Sequence, residues 1–230
     1  MSNPAVNLVV VSHPDDEALA MGGTGARLTR AGEIVQPVML CGGVAARGQR
    51  PADEELAADI GDAMATLGFA EPILGDFPNI RMNTVAHIEI VSFIEEQIRT
   101  FRPKRIFTHH VSDANDDHRK TAEATLVAAR LPHRQAGLEP VESIHLMETV
   151  SATDWTYPGT ATPFLPNEFV DITDTLEQKL KACECYRNVM RPFPHSRSPE
   201  VIRGLAAVRG AQSGTGYAEA FQTVYSRRIV

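Results

Sequence analysis

The chain has 230 residues and a formal net charge of −7, a length typical of one domain. This acidic balance, without any basic stripe, excludes a broad nucleic-acid-binding surface. Three cysteines are too few for a disulfide framework, and Cys183 and Cys185 do not share a helix face, so we interpret all three as structural thiols.

The apolar run near the N-terminus is short and has no basic flank, so it predicts a strand rather than a signal peptide. No window reaches the ~18 consecutive apolar residues of a membrane-spanning helix. These two features predict that the protein has no membrane span and is cytoplasmic.

Strand and helix patterns alternate along the chain. Apolar runs predict strands at Val6–Val11, 34–40, 72–76, 104–110 and 141–150. Apolar residues at helical spacing predict helices at 17–31, 54–67, 84–101, 121–131 and 173–188. Pro37 is unusual within its strand, because proline suits an edge or a bulge.

This alternation predicts an α/β fold with a Rossmann-like, open and mostly parallel sheet that has helices on both faces. We expect a single domain over residues 1–230, with its core in about 1–150. Residues 151–230 are predicted to form an irregular C-terminal extension of helices and loops. Its tail, from Arg191, ends in a helix and a loop.

Acids and histidines follow the first and fourth predicted strands. In an open parallel sheet, ligands bind outside the carboxyl ends of the strands. The first strand runs into "HPDDE", which starts at His13, and the fourth ends in "HH", followed by "VSDANDDHR". His13, Asp16 and His118 can supply the two imidazoles and one carboxylate of a catalytic zinc site. Asp15, beside them, can act as a general base.

Each of these features alone has a structural explanation. Asp16 and Glu17 could be first-turn acids that face a helix dipole, and His118 could be a helix residue without a partner. A divalent cation accounts for the whole set, because its charge offsets three adjacent carboxylates.

"HPDDE" after the first strand and "THHVSDANDDHR" after the fourth resemble the LmbE/PIG-L-type zinc-dependent de-N-acetylases. The resemblance extends to "ELAADIGDAMATLG", "FPNIRMN", "FVDITDTLEQKLKACECYRNVM" and "RGAQSGTGYAEAF". It implies removal of an N-acetyl group from an N-acetylglucosamine-like sugar or its conjugate. It also implies His13, Asp16 and His118 as ligands of zinc, or of another divalent metal, and Asp15 as the base.

The resemblance leaves the general acid open. Better-known members have a histidine three residues before the last ligand, where this chain has Asn115. An asparagine can donate a hydrogen bond to an oxyanion but cannot supply a proton. Asp117, the residue that would orient that histidine, is retained. His110, at the end of the fourth strand, is our first candidate for the acid.

Other candidates lie near these motifs. Successive strand residues face opposite sides, so at most one of His109 and His110 points into the site, and we expect His110. Arg47, Arg81 and His195 are candidates for substrate binding. For both arginines, surface salt bridging is the alternative.

The sequence therefore predicts a zinc-dependent N-deacetylase for a small amino-sugar substrate, and the protein could form a homo-oligomer. Two alternatives stay open. One is a related hydrolase for another acyl amide or ester. The other is a metal-binding sugar-recognition protein that has lost turnover.

Overall fold

The structure, a computed structural model, describes residues 4–43 and 51–228. Strands in these ranges are β1 Val6–Val11, β2 Ile34–Met39, β3 Ile73–Leu74, β4 Arg105–Thr108, β5 Ser143–Met147, β6 Glu168–Asp171 and β7 Ala218–Ser226. The α-helices are α1 Asp16–Arg30, α2 Asp53–Leu67, α3 His87–Phe101, α4 Asp116–Ala128, α5 Leu176–Cys185 and α6 Pro199–Ser213. Among these described residues, no helix has both the length and the apolarity that crossing a membrane requires.

The strands form one sheet in the order β3-β2-β1-β4-β5-β7-β6. Neighbours from β3 to β5 are parallel, and β7 is antiparallel to both β5 and β6. This confirms the α/β class and the mostly parallel sheet. Because β1 and β4 are direct neighbours, the segments that follow them meet at the same edge of the sheet.

The C-terminal part is more regular than predicted. The tail contains α6, as expected, but the predicted final loop is strand β7, and β6 was not predicted at all. Both strands pair through long-range contacts, with β7 lying between β5 and β6. Helix α4 also begins earlier than residue 121, because Asn115 caps it. The extension therefore completes the sheet.

Helices cover both faces of the sheet, as predicted. Along β1, Val9 and Val11 pack into a core that also contains Leu67 of α2, whereas Val10 packs into a second core with Ile94 of α3. Burial of both faces explains why the β1 sequence is a continuous apolar run rather than an alternating one.

Pro37 is tolerated for a local reason. β3 is only two residues long and pairs with Val38 and Met39, so Pro37 lies where β2 is an edge.

The small residues of α1 permit close packing. A Cβ at Gly25 would come within 2.2 Å of the Phe69 ring, so a larger residue would displace that ring.

Candidate active site

The turn after β1 brings the first motif into a buried position. The Asp16 N–H donates to the His13 carbonyl (3.3 Å), and α1 begins at Asp16. Asp15 has φ 115°, a backbone conformation that residues other than glycine rarely adopt. Such strain costs roughly 1–3 kcal/mol and persists only where the surrounding structure enforces it. The turn sends the adjacent carboxylates of Asp15 and Asp16 to different partners.

Three histidine rings converge on the Asp16 carboxylate. Its Oδ2 lies 3.3 Å from His13 Nδ1, 3.4 Å from His109 Nε2 and 3.3 Å from His118 Nε2. The same oxygen accepts the His13 backbone N–H at 2.9 Å. Because one carboxylate oxygen has only two lone pairs, it cannot accept from the His13 backbone N–H, His13 Nδ1 and His118 Nε2 at once. Such a gathering of nitrogen and oxygen atoms is one that a bound cation could stabilise.

The second nitrogens of His13 and His118 face other carboxylates. His13 Nε2 lies 3.0 Å from Asp117 Oδ2. His118 Nδ1 lies 3.2 Å from Asp113 Oδ2, close enough for an ion pair but not aligned as a hydrogen bond. In metal sites such outer carboxylates fix the ring orientation and the tautomer of the ligand histidine. Asp117 thus contacts His13, whereas the resemblance gave it the role of orienting a histidine at position 115, where this chain has Asn115.

Three groups of described residues could hold a metal ion: His13, Asp16 and His118; His13, Cys41 and Asp117; and His109, Asp113 and His118. Two of the carboxylates are already held by backbone groups. Asp117 accepts the N–H groups of Ile80 (2.6 Å) and Met82 (3.0 Å), and Asp113 accepts that of Asn115 (3.0 Å). These carboxylates support the rings, and the first group best fits a divalent ion.

Charge within the cluster is strongly coupled. Burial lowers the pKa of His118, but the Asp16 carboxylate and its neighbours outweigh burial and raise the pKa to about 9. Burial also lowers the pKa of His13, and hydrogen bonds to Asp117 and Asp16 raise it well above its usual range. A bound cation would displace the protons of these histidines, because imidazole binds metal in its neutral form.

The three consecutive acids do not carry three free charges. Asp15 Oδ2 accepts a hydrogen bond from Arg197 Nη1 (3.1 Å), and Asp16 faces the histidines. Glu17 Oε1 accepts a hydrogen bond from the Tyr186 hydroxyl (2.6 Å), and burial raises the pKa of Glu17 to about 8. Glu17 is therefore protonated at neutral pH, which removes one repulsive charge.

Arg197 was not among the predicted candidates, although it lies two residues after His195. Its Nη1 contacts Asp15, and its Nε donates to Ser151 Oγ at 2.6 Å. The adjacent Ser196 accepts a hydrogen bond from Trp155 Nε1 (2.9 Å), which holds this segment against the loop after β5. The only sequence signal was the polar run "HSRS", which does not distinguish the arginine from the histidine.

The two histidines after β4 face different surroundings, and His109, rather than the expected His110, contacts the candidate metal cluster. The catalytic role of His110 stays a prediction. His109 contacts Asp16 and stacks on His118, with ring centroids 3.8 Å apart. Its Nε2 accepts the Ser12 N–H at 3.0 Å. His110 instead packs edge-on against Phe164 and lines a cavity of about 470 Å³. Among its described lining residues are none of the three candidate ligands.

Asn115 has a structural role that was not predicted. It is the N-cap of α4, and its Oδ1 accepts the Asp117 N–H at 2.9 Å. This bond satisfies one of the free N–H groups at the helix start. The cap thereby positions Asp117 and His118, which follow in the first turn. The predicted oxyanion role of Asn115 stays a prediction.

The predicted substrate residues are more peripheral. Arg81 is exposed on the loop whose neighbouring N–H groups hold Asp117. His195 packs edge-on against Trp155, with ring centroids 5.3 Å apart, and burial lowers its pKa. Arg47 lies outside the described residues. The substrate-binding roles of all three stay predictions.

A mostly parallel α/β sheet with a candidate metal cluster at its carboxyl edge places the chain among α/β enzymes whose chemistry lies beyond the strand ends. Residues 8–129, more than half of the chain, match the family described as PIG-L: GlcNAc-PI de-N-acetylase. The chain belongs to this deacetylase family, which confirms the resemblance inferred from the two motifs.

Individual relatives extend the comparison. The uncharacterized deacetylase YaiS of Escherichia coli (strain K12) is 30% identical over 141 residues, and the match covers 57% of this chain and 72% of that protein. The N,N'-diacetylchitobiose deacetylase of Pyrococcus horikoshii has a TM-score of 0.74 at 22% identity, covering 96% of this chain and 84% of that one.

A structure with a different activity has the same fold. GalB, the 4-carboxy-2-hydroxymuconate hydratase of Pseudomonas putida KT2440, has a TM-score of 0.78 at 19% identity, and 98% of each chain is covered. At this identity the likeness concerns the fold alone. Because a deacetylase and a hydratase share the architecture, the reaction must be argued from the site.

Proposed function

We propose that the protein is a zinc-dependent de-N-acetylase for an N-acetylglucosamine-like amino sugar or its conjugate. The buried convergence of His13, Asp16 and His118, with Asp15 beside it, carries this proposal. Two imidazoles and one carboxylate, with a position open to water, form the ligand set of a catalytic zinc ion. Membership of a deacetylase family supports amide hydrolysis, and the name of the P. horikoshii neighbour supports an acetylated sugar.

The chemistry divides among the residues of the site. A zinc ion held there would polarise the acetamide carbonyl and make the attacking water more acidic. Asp15 takes the proton of that water, while Arg197 holds the Asp15 carboxylate in place. Attack of water on the carbonyl and loss of the amine give acetate and a free amino sugar.

The proton for the leaving amine has two candidate sources. His110 ends β4 and borders the cavity of about 470 Å³, but burial lowers its pKa, so the ring is mostly neutral near pH 7. Asp15, which has just gained the water proton, is the second source. It would pass the same proton to the amine, and no further acid would be needed.

The test is detection of free amine across N-acetyl sugars, lipid-linked sugars and nucleotide sugars, with zinc added and Asp15→Asn as control. We expect wild type, but not the variant, to release amine and acetate in equal amounts. Zinc and sugar bound without acetate release would favour the recognition protein. Hydrolysis of other acyl amides or esters, but not of N-acetyl sugars, would favour the related hydrolase.

The cytoplasmic location and a homo-oligomer stay predictions.

A further inference from the structure

A second histidine–carboxylate cluster lies at the opposite edge of the sheet. Ser143 is the first residue of β5, and His145 follows it on the same face of that strand. β4 and β5 are parallel, and the candidate metal cluster lies beyond the carboxyl ends of β1 and β4. The amino end of β5 is therefore separated from that cluster by the length of the strands.

The contacts of His145 have a defined polarity. Ser143 Oγ lies 2.6 Å from His145 Nε2, and His145 Nδ1 lies 2.9 Å from Glu168 Oε2. An ionised carboxylate only accepts hydrogen bonds, so Nδ1 carries the hydrogen and Nε2 is the acceptor. The Ser143 hydroxyl consequently donates to Nε2. The hydrogen bond that Glu168 accepts from His145 lowers the pKa of Glu168, which keeps this carboxylate ionised.

Neighbouring side chains fix this geometry. The Phe107 ring stacks on His145, with centroids 4.6 Å apart, and Phe221 packs edge-on against Phe107. The Thr223 hydroxyl lies 2.9 Å from His145 Nδ1 and donates to Glu168. The imidazole is thus held from its face and from both nitrogens, as a preorganised base requires.

The cluster opens to solvent through a cavity of about 360 Å³, lined by Ser143, His145 and Glu168. Ligand pockets commonly have volumes of roughly 300–1,000 Å³. Arg105, Arg227 and Arg228 line the same cavity together with one further acid, Glu142, so its charged lining has three cations against the two carboxylates of Glu142 and Glu168. Guanidinium groups recognise carboxylates and phosphates, so the wall favours an anionic ligand.

We propose that Ser143, His145 and Glu168 form a second catalytic site, which hydrolyses small esters that carry a negative charge. A serine, a histidine and a carboxylate in this order form the constellation that activates a serine nucleophile, and the constellation is recognised by geometry and not by fold. The activity needs no metal and is independent of the proposed deacetylation.

The steps balance within the site. Ser143 Oγ forms a bond to the ester carbonyl carbon while its proton passes to His145 Nε2. The carbon–alcohol bond then breaks, and the leaving alcohol takes that proton, which leaves an acyl-serine. Water attacks the acyl-serine with His145 as base, and the proton returns to Ser143 as the carboxylic acid departs. The negative oxygen forms beside the positive charge of Arg105 and Arg227, which line the cavity. Their Nε and Nη2 groups donate to Asn7, Glu33 and two backbone carbonyls, so the arginines act through charge.

A fluorophosphonate probe on the zinc-loaded protein tests the nucleophile, with the labelled residue located by peptide mass spectrometry. We expect labelling at Ser143 that is absent in Ser143→Ala. The matched control is Ser226→Ala, because Ser226 lines the same cavity. Absence of label on wild-type Ser143, or labelling that persists on another residue in Ser143→Ala, overturns the proposal.

Ester hydrolysis gives the second measurement, with p-nitrophenyl succinate as the anionic substrate and p-nitrophenyl acetate as the neutral one. We expect a higher kcat/KM for the succinate and a loss of about 10²–10⁴-fold in Ser143→Ala and His145→Gln, the range of a general base. A chelator should leave the rate unchanged. An unchanged rate in a folded Ser143→Ala, as judged by its thermal transition, contradicts the assignment.

Discussion

The two histidine–carboxylate clusters differ in how completely protein atoms satisfy them. At the carboxyl edge, nitrogens of three imidazoles lie within 3.4 Å of one Asp16 oxygen, and the buried His109 Nδ1 has no hydrogen-bond partner. At the amino edge, both nitrogens of His145 are paired, one with Ser143 and one with Glu168 and Thr223. The first cluster therefore has groups that could hold a cation, whereas protein atoms already pair both nitrogens of His145 in the second.

The clusters also differ in how the chain builds them. The first lies on the turns after two neighbouring strands, and its supports come from the adjoining loops. The second is formed by side chains on three strands of a sheet face, within regular structure. Loops are more mobile than the elements they connect, whereas residues on strands are held more precisely. The same residue types thus form a candidate ion site in one place and pair with a serine hydroxyl in the other.

The largest expected effect separates the base from the ligands at the carboxyl edge. Asp15→Asn should retain zinc and lower the deacetylase kcat by about 10²–10⁴-fold, because the amide cannot accept the water proton. The measurement is the initial rate of amine release at saturating zinc. His145→Gln, at the other edge, is the control and should keep the wild-type deacetylase rate. A near-normal kcat in Asp15→Asn would show that another group is the base.

Zinc should raise the free energy of unfolding only through the candidate metal cluster of His13, Asp16 and His118. Excess zinc at 100 times its Kd should add about 2.7 kcal/mol to the free energy of unfolding, because only the folded state gathers the ligands. His118→Ala should lose most of this increment and most of its bound zinc, since only two candidate ligands remain. Urea unfolding with zinc and with chelator measures both values. An undiminished zinc increment in His118→Ala would contradict the ligand assignment.

The cluster of Ser143, His145 and Glu168 should contribute to the free energy of unfolding without zinc. His145→Ala leaves buried partners unpaired, and each unsatisfied group costs about 1–3 kcal/mol. The loss should be the same in zinc and in chelator. His133→Ala, an exposed histidine, is the control and should change the free energy of unfolding by less than about 0.5 kcal/mol. If the loss of unfolding free energy in His145→Ala depended on zinc, the two clusters would not be independent of each other.

The smallest effect concerns Asn115 as a helix cap. Asn115→Ala should cost about 1 kcal/mol of unfolding free energy, and Asn115→Asp should restore it, because aspartate also accepts the Asp117 N–H. The deacetylase rate of the two variants then distinguishes cap from oxyanion donor. Recovery of rate in the aspartate variant indicates the cap alone. A rate that stays low indicates that the amide N–H also contacts the reacting oxygen.

Much of the candidate metal site could be predicted from sequence because its parts are local. His13, Asp15 and Asp16 lie within four consecutive positions after a strand whose predicted bounds, Val6–Val11, are those of the structure. The strand-end rule then placed His118 on the same edge, and β1 and β4 are indeed neighbours. What could not be predicted was the choice between His109 and His110, because it depends on the twist and the end of a four-residue strand.

The sequence by itself determined the alternation of strands and helices, the burial of both sheet faces and the gathering of acids and histidines at one edge. Each of these is written in residues close together along the chain. Only the tertiary structure decided that Arg197, 182 residues away, reaches Asp15, and that β7 completes the sheet. It alone joined Ser143 and His145 to Glu168 on β6. Such contacts follow from long-range strand pairing and side-chain packing, and no local periodicity records which distant segments will meet.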